Sequence, residues 1–137
     1  MHFDHLGYAV RDLDEALGQF EGIFGETLNK SARYFEPTFD SHIQFIQPGG
    51  QGPRIELIAP ASESSLVGRI LAKRGPGVYH FCYQVDDLAA ETSRLKKQGF
   101  RATTEPCSAR AFAGRRVQFF FHPQLGLLEL LESAAQT

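Results

Sequence analysis

The segment "DHLGYAVRDL", residues 4 to 13, is written a second time as "YHFCYQVDDL", beginning 75 residues later at Tyr79. Five of its ten positions are identical without a gap: His5/His80, Tyr8/Tyr83, Val10/Val85, Asp12/Asp87 and Leu13/Leu88. Average residue usage would give about one match or fewer. A duplicated segment constrains a fold more than any single element does, because each copy must build a unit of the same structure. The ends of the halves match as well. "RIELIAP" (54 to 60) closes the first and "LLELLES" (127 to 133) the second, with Glu56 and Glu129 at equivalent places 73 residues apart. Each half therefore begins with a histidine-bearing strand and ends with a glutamate-bearing one.

The interior of each half reads alike. Asp12 is a helix N-cap with Glu15 three residues on, and Leu13, Ala16, Leu17, Phe20 and Ile23 recur at helical spacing until Gly25. In the second half Asp87 takes the same place, Leu88, Thr92 and Leu95 share a face, and Gly99 ends the run, although Ala90 denies it the capping box. Three strands follow each helix. In the first half they are predicted near 27 to 34, 42 to 47 ("HIQFIQ") and 54 to 59, and in the second near 100 to 104, 116 to 121 ("RVQFFF") and 127 to 132. The order βαβββ, twice, is an α+β chain. Residues 61 to 77 form a structured linker, in which Ser64 or Ser65 caps a short helix carrying Leu66, Ile70 and Leu71, with Lys73 and Arg74 before Gly75. The modules then run from about 3 to 60 and 78 to 133 of a single domain. "TTEPCSARAFAGRR" (103 to 116) has no clear period and reads as a long loop, either a functional lid or an ordinary exposed connection.

A chain of 137 residues can bury roughly two thirds of its unfolded surface and needs no staples. Charged residues at 22% and a net charge of -2 leave no electrostatic bias toward nucleic acid or an anionic membrane. Cys82 and Cys107 lie in unlike contexts without metal-type spacing, which suits two reduced thiols. The beginning "MHFDHLGYAV" has no basic region followed by an apolar run, so a soluble cytoplasmic protein is expected.

Alternation along a strand separates Leu6, Tyr8 and Val10, which should pack on the helix, from His5, Gly7 and Ala9 on the other face. The second copy repeats this with Phe81, Tyr83 and Val85 against His80, Cys82 and Gln84. Both histidines then face space left by small or polar neighbours. Glu56 and Glu129 each stand singly in an aliphatic strand, where an unpaired buried carboxylate is costly. If the halves pair about a pseudo-twofold axis, His5, Glu56, His80 and Glu129 meet around one point. Two imidazoles and two carboxylates suit one divalent ion of the Zn, Ni, Co, Mn or Fe kind, with positions left for water or substrate. His2, His42 and His122 have no counterpart at the matching offset, and Glu132, of opposite parity to Glu129, reads as solvated.

The motifs "DHLGYAVRDL", "RIELIAP", "GVYHFCYQVDD" and "FHPQLGLLELLE" resemble those of the vicinal oxygen chelate superfamily of glyoxalases, epimerases and extradiol dioxygenases, over almost the whole chain. Within it, "SSLVGRILAKRGPGVYHFCYQVDD" looks most like methylmalonyl-CoA epimerases and the glyoxalase I-like proteins nearest to them. The resemblance implies paired βαβββ modules curved into an open, roughly eight-stranded barrel-like sheet, with His5, Glu56, His80 and Glu129 as ligands of Zn, Ni, Co or Mn. It implies an epimerase or isomerase that moves an α-proton through a metal-stabilised enolate, Glu129 being the first choice of base and Glu56 its partner from the opposite face. The substrate would be an acyl-CoA thioester or a thiol hemithioacetal, and the assembly a homodimer, its ligands drawn from one chain or two.

Two departures bear on substrate. Glutathione-dependent glyoxalases typically carry an arginine four residues after the first histidine, where this chain has Ala9. Some epimerases carry an additional glutamate near the position of Gln44, and an amide cannot serve as base. Gln44 is therefore a candidate substrate contact, with Arg110, Arg115 and Arg116 as candidates for a CoA phosphate. A glyoxalase I-type lactoylglutathione lyase is the alternative activity. An extradiol-type dioxygenase is disfavoured by the fourth ligand Glu56, and a non-catalytic binding or resistance protein would use the cavity without chemistry.

Overall fold

The computed structural model describes residues 1–134. The first module opens with β1 (His2–Ala9), continues through α1 (Leu13–Phe24) and a one-turn 3-10 helix, and closes with β2 (Leu28–Glu36), β3 (Ser41–Pro48) and β4 (Ile55–Pro60). The linker carries α2 (Leu66–Arg74), and the second module follows as β5 (Gly77–Val85), α3 (Leu88–Lys97), β6 (Arg101–Ala102), β7 (Cys107–Ser108), β8 (Arg116–His122) and β9 (Gly126–Glu132). The predicted α+β order is observed in both halves. Contacts divide the chain into one unit of His5–Tyr79 and another of Met1–Asp4 with the chain from His80 onward.

The helices start where their caps dictate. Asp12 accepts a hydrogen bond from the Glu15 N–H and Asp87 one from the Ala90 N–H, both at 2.9 Å. Ser65, rather than Ser64, caps α2 by accepting from the Gly68 N–H. Gly25 ends α1 with φ 61°, a left-handed value that favours glycine.

Strand order is the same in the two units. In the first, β1 pairs in parallel with β4, β4 antiparallel with β3, and β3 antiparallel with β2. In the second, β5 pairs in parallel with β9, β9 antiparallel with β8, and β8 antiparallel with both β6 and β7. The expectation of eight strands becomes nine among the described residues because the strand after α3 is split. Its second piece, β7, and a 3-10 turn at Arg110–Phe112 occupy the segment read as a structureless loop. That segment is thus laid against β8 over part of its length.

In each module the helix that follows the first strand, α1 or α3, packs on one face of that module's strands. Val10, Leu13, Leu17, Leu28, Ile46, Leu57 and Ala59 form the first core, with Tyr8 and Phe20 packed against it, and Val85, Leu88, Leu95, Phe120 and Leu130 form the second. Tyr8, Val10, Tyr83 and Val85 pack on the helix-side cores as predicted, whereas Phe81, on the same side of its strand, is 47% exposed and does not. Phe81 lies at the middle of β5, and the core cluster carrying α3 gathers Tyr83 and Val85, the residues after it on that side. The N-terminal residues belong to the second unit, where Asp4 accepts a hydrogen bond from Gln84 Nε2 at 2.7 Å and Phe3 meets the Tyr83 ring edge-on. No helix among the described residues is long and apolar enough to cross a membrane.

Candidate functional site

Register places a histidine and a glutamate together in each unit. In the first, Gly7 of β1 lies beside Glu56 of β4, so Glu56 projects on the face shared by His5 and Gly7. In the second, Cys82 of β5 lies beside Glu129 of β9, on the face of His80. His5 Nε2 is 3.4 Å from Glu56 Oε1, and His80 Nε2 is 2.9 Å from Glu129 Oε2. All four residues are buried, at 0%, 3%, 2% and 3% exposure for His5, Glu56, His80 and Glu129. Opposite each glutamate on the neighbouring antiparallel strand stands a phenylalanine, Phe45 beside Glu56 and Phe119 beside Glu129. Its ring meets the imidazole edge-on, with centroids 5.6 Å apart for Phe45 and His5 and 5.2 Å for Phe119 and His80. Each unit thus holds the same triplet of imidazole, carboxylate and phenyl ring.

Carboxylates this deeply buried carry a desolvation cost of several kcal/mol unless compensated. The donor chemistry fits a divalent cation. Metal–N and metal–O bonds of about 2.1 Å put adjacent donors roughly 3.0 Å apart in an octahedral site and about 3.4 Å in a tetrahedral one. The His–Glu separations in the two units fall at those values. Gly7, buried beside the first pair, keeps the space in front of it clear of a side chain.

The other sequence candidates lie apart from these pairs. Gln44 is beside Leu57, a residue of the helix-side core, and so projects away from Phe45 and Glu56. Its Nε2 donates to the Ser31 carbonyl at 2.9 Å, and its Oε1 accepts from Arg33 Nε at 3.2 Å. Arg115 donates to the carbonyls of Phe112 and Glu132, and Arg116 makes a two-pronged ion pair with Glu132 at 2.9 and 3.0 Å. Glu132, read as solvated, is instead half-buried in that pair, and the guanidinium's hydrogen bonds hold its carboxyl below the usual range. Arg110 is exposed on the 3-10 turn. Ala9 is buried beside Ile58, and Cys82 and Cys107 form no disulfide.

Phe45 and Phe119 were missing from the sequence reading, although "QF" stands at the same place in "HIQFIQ" and "RVQFFF" and carried the signal. Arg54 was missed as well. Its guanidinium carbon lies 3.8 Å from the centroid of Phe45, on the ring that touches His5, two residues before Glu56 on β4.

The chain matches the family model of the glyoxalase/bleomycin resistance protein/dioxygenase superfamily over residues 4–119. It is 31% identical over 122 residues to an ethylmalonyl-CoA/methylmalonyl-CoA epimerase of Cereibacter sphaeroides, covering 88% of this chain and 87% of that one. Its fold matches the crystal structure of methylmalonyl-CoA epimerase from Mycobacterium tuberculosis with a TM-score of 0.80 and 33% identity, over 98% of this chain and 89% of the other. It also matches a variant of the Streptomyces coelicolor methylmalonyl-CoA epimerase in complex with 2-nitronate-propionyl-CoA, with a TM-score of 0.79 and 27% identity, over 98% and 99% of the two chains. With two βαβββ modules, a His–Glu pair in each and a family match across most of its length, this chain belongs to the glyoxalase/bleomycin resistance protein/dioxygenase superfamily.

Proposed function

We propose that the chain is a metal-dependent epimerase that moves the proton on the α-carbon of a methylmalonyl-CoA-like thioester. The observation that carries this reading is the buried His–Glu pair repeated at the same register in both modules. Epimerases among its relatives, one of them in complex with a CoA thioester analogue, favour the thioester over a glutathione hemithioacetal. Ala9, in place of the arginine typical of glutathione-dependent glyoxalases, points the same way.

His5, Glu56, His80 and Glu129 would hold one divalent ion of the Zn, Ni, Co or Mn kind, which would supply Lewis-acid polarisation to the oxygens beside the α-carbon. Glu129 removes the α-proton of one epimer as general base, and Glu56 delivers a proton to the opposite face, their roles exchanging in the reverse direction. Phe45 and Phe119 line the imidazoles with apolar surface, which keeps the local dielectric low and strengthens the charge interactions there. Arg110 serves a CoA phosphate from the surface turn, with Arg115 and Arg116 bracing that turn against the end of β9. The working form is a cytoplasmic homodimer, a point that light scattering and fractionation check.

Metal-loaded protein incubated in deuterated water with (2R)- or (2S)-methylmalonyl-CoA should yield the racemic mixture carrying α-deuterium. Absence of both racemisation and deuteration rejects the epimerase. Conversion of methylglyoxal plus glutathione, with no action on the CoA ester, selects the glyoxalase instead.

A further inference from the structure

Each site phenylalanine and the glutamine before it make the same pair of bonds, one each, in both modules. In the first, the β2–β3 ladder loses register between Lys30 and Arg33. There the Ser31 hydroxyl oxygen accepts the Phe45 N–H at 2.9 Å, and the Ser31 carbonyl accepts Gln44 Nε2 at 2.9 Å. In the second, the edge strand breaks between β6 and β7. There the Thr104 hydroxyl oxygen accepts the Phe119 N–H at 3.0 Å, and the Thr104 carbonyl accepts Gln118 Nε2 at 2.9 Å. Thr92 adds a donor to Gln118 Oε1, as Arg33 does to Gln44 Oε1.

A regular antiparallel neighbour would take the phenylalanine N–H on a main-chain carbonyl. An irregular edge strand removes that carbonyl from register, and the hydroxyl replaces it. The glutamine amide, on the opposite face of the same strand, fastens the displaced carbonyl. Both modules thus pin the backbone at the point from which a phenyl ring leans on a histidine, at interplanar angles of 76° for Phe45 on His5 and 88° for Phe119 on His80.

We propose that Gln44 with Ser31, and Gln118 with Thr104, are positioning residues that set the orientation of the imidazoles of His5 and His80 through Phe45 and Phe119. Gln44 then acts through the fold and not on the substrate. The role in metal affinity rests on the reading of both histidines as ligands of one divalent ion, whereas the role in ring orientation does not.

The test compares Ser31→Ala and Thr104→Ala with the exchanges Ser31→Thr and Thr104→Ser, which keep a hydroxyl. Co2+ affinity by calorimetry and the visible spectrum of the Co2+ protein are read beside histidine ring 15N shifts of the metal-free protein. The alanine variants should weaken Co2+ binding about 10- to 100-fold, the range seen when groups supporting a ligand are removed, and change the spectrum. Ser31→Ala should move the ring shifts of His5 alone, and Thr104→Ala those of His80 alone. The hydroxyl exchanges should keep wild-type values. If an alanine variant does not fold, Gln44→Asn or Gln118→Asn, which shortens the amide's reach, carries the same comparison. Folded variants with a lowered Tm but unmoved ring shifts, affinity and spectrum would overturn the proposal. Failure of the wild-type protein to bind Co2+ would reject the metal reading, while the ring shifts still decide the clamps.

Discussion

Replacing Glu129 by glutamine removes the proposed base while changing the size of the side chain little. Glu129 is 3% exposed and lies 2.9 Å from the His80 ring, so its amide stays where the carboxylate was. General-base catalysis contributes about 10²- to 10⁴-fold, roughly 2.7 to 5.4 kcal/mol at 1.36 kcal/mol per decade. Inversion by Glu129→Gln should fall by that factor. Glu56→Gln should fall comparably, because inversion needs a group on each face of the α-carbon. The variants should differ in what they keep. Each retains one base and should still exchange the α-proton of one epimer with deuterated water, without inverting it, at a rate within about tenfold of wild type. The retained epimers should be opposite in the two variants. Mass spectrometry of each epimer after incubation reads deuterium content, chromatography on a chiral phase reads inversion, and metal content is measured to match the samples. If both variants lose exchange with both epimers while fully metal-loaded, or both keep inversion, the assignment of one base per module is wrong.

Core and surface phenylalanines of neighbouring strands should behave oppositely. Phe120, fully buried against α3, should cost about 3 to 5 kcal/mol as Phe120→Ala, whereas Phe81→Ala, at 47% exposure, should cost well under half of that in urea unfolding. The Arg116–Glu132 pair should appear as an acid-side stability term. The folded Glu132 carboxyl is depressed from its ordinary value of 4.5, so its contribution is present above that value and is lost as pH falls through the depressed one. The Tm difference between wild type and Arg116→Gln should therefore be level from about pH 6 upward and shrink below the ordinary carboxylate range. A difference that grows on acidification would refute the pairing.

What could be read from the sequence followed from rules local to one segment or repeated in two. Asp12 and Asp87 mark helix starts because a cap acts within three residues, and alternation along β1 and β5 puts each histidine on the face away from the helix. One histidine and one glutamate recurring in each half marked the four residues, whereas the registers that set Gly7 beside Glu56 and Cys82 beside Glu129 join strands distant in sequence and are visible only in the fold. The exposure of Phe81 escaped because alternation assigns a side and does not say where the covering helix stops. Glu132 was misread as solvated because its partner, Arg116, is brought beside it only by the β8–β9 hairpin. Gln44 looks in the sequence like a substrate contact, yet its place is decided by Ser31 on an adjoining edge strand whose irregularity no period reveals. The strand pieces β6 and β7 are too short for alternation to mark, so 103 to 116 read as loop.

The central claim is that the two His–Glu pairs serve one divalent ion. Metal analysis of purified protein and Co2+ titration of the metal-free form test it in wild type and in His5→Ala, Glu56→Ala, His80→Ala and Glu129→Ala. One ion per chain is expected, with each of the four substitutions weakening it. Two ions per chain, or binding that survives loss of either module's pair unchanged, would contradict the account.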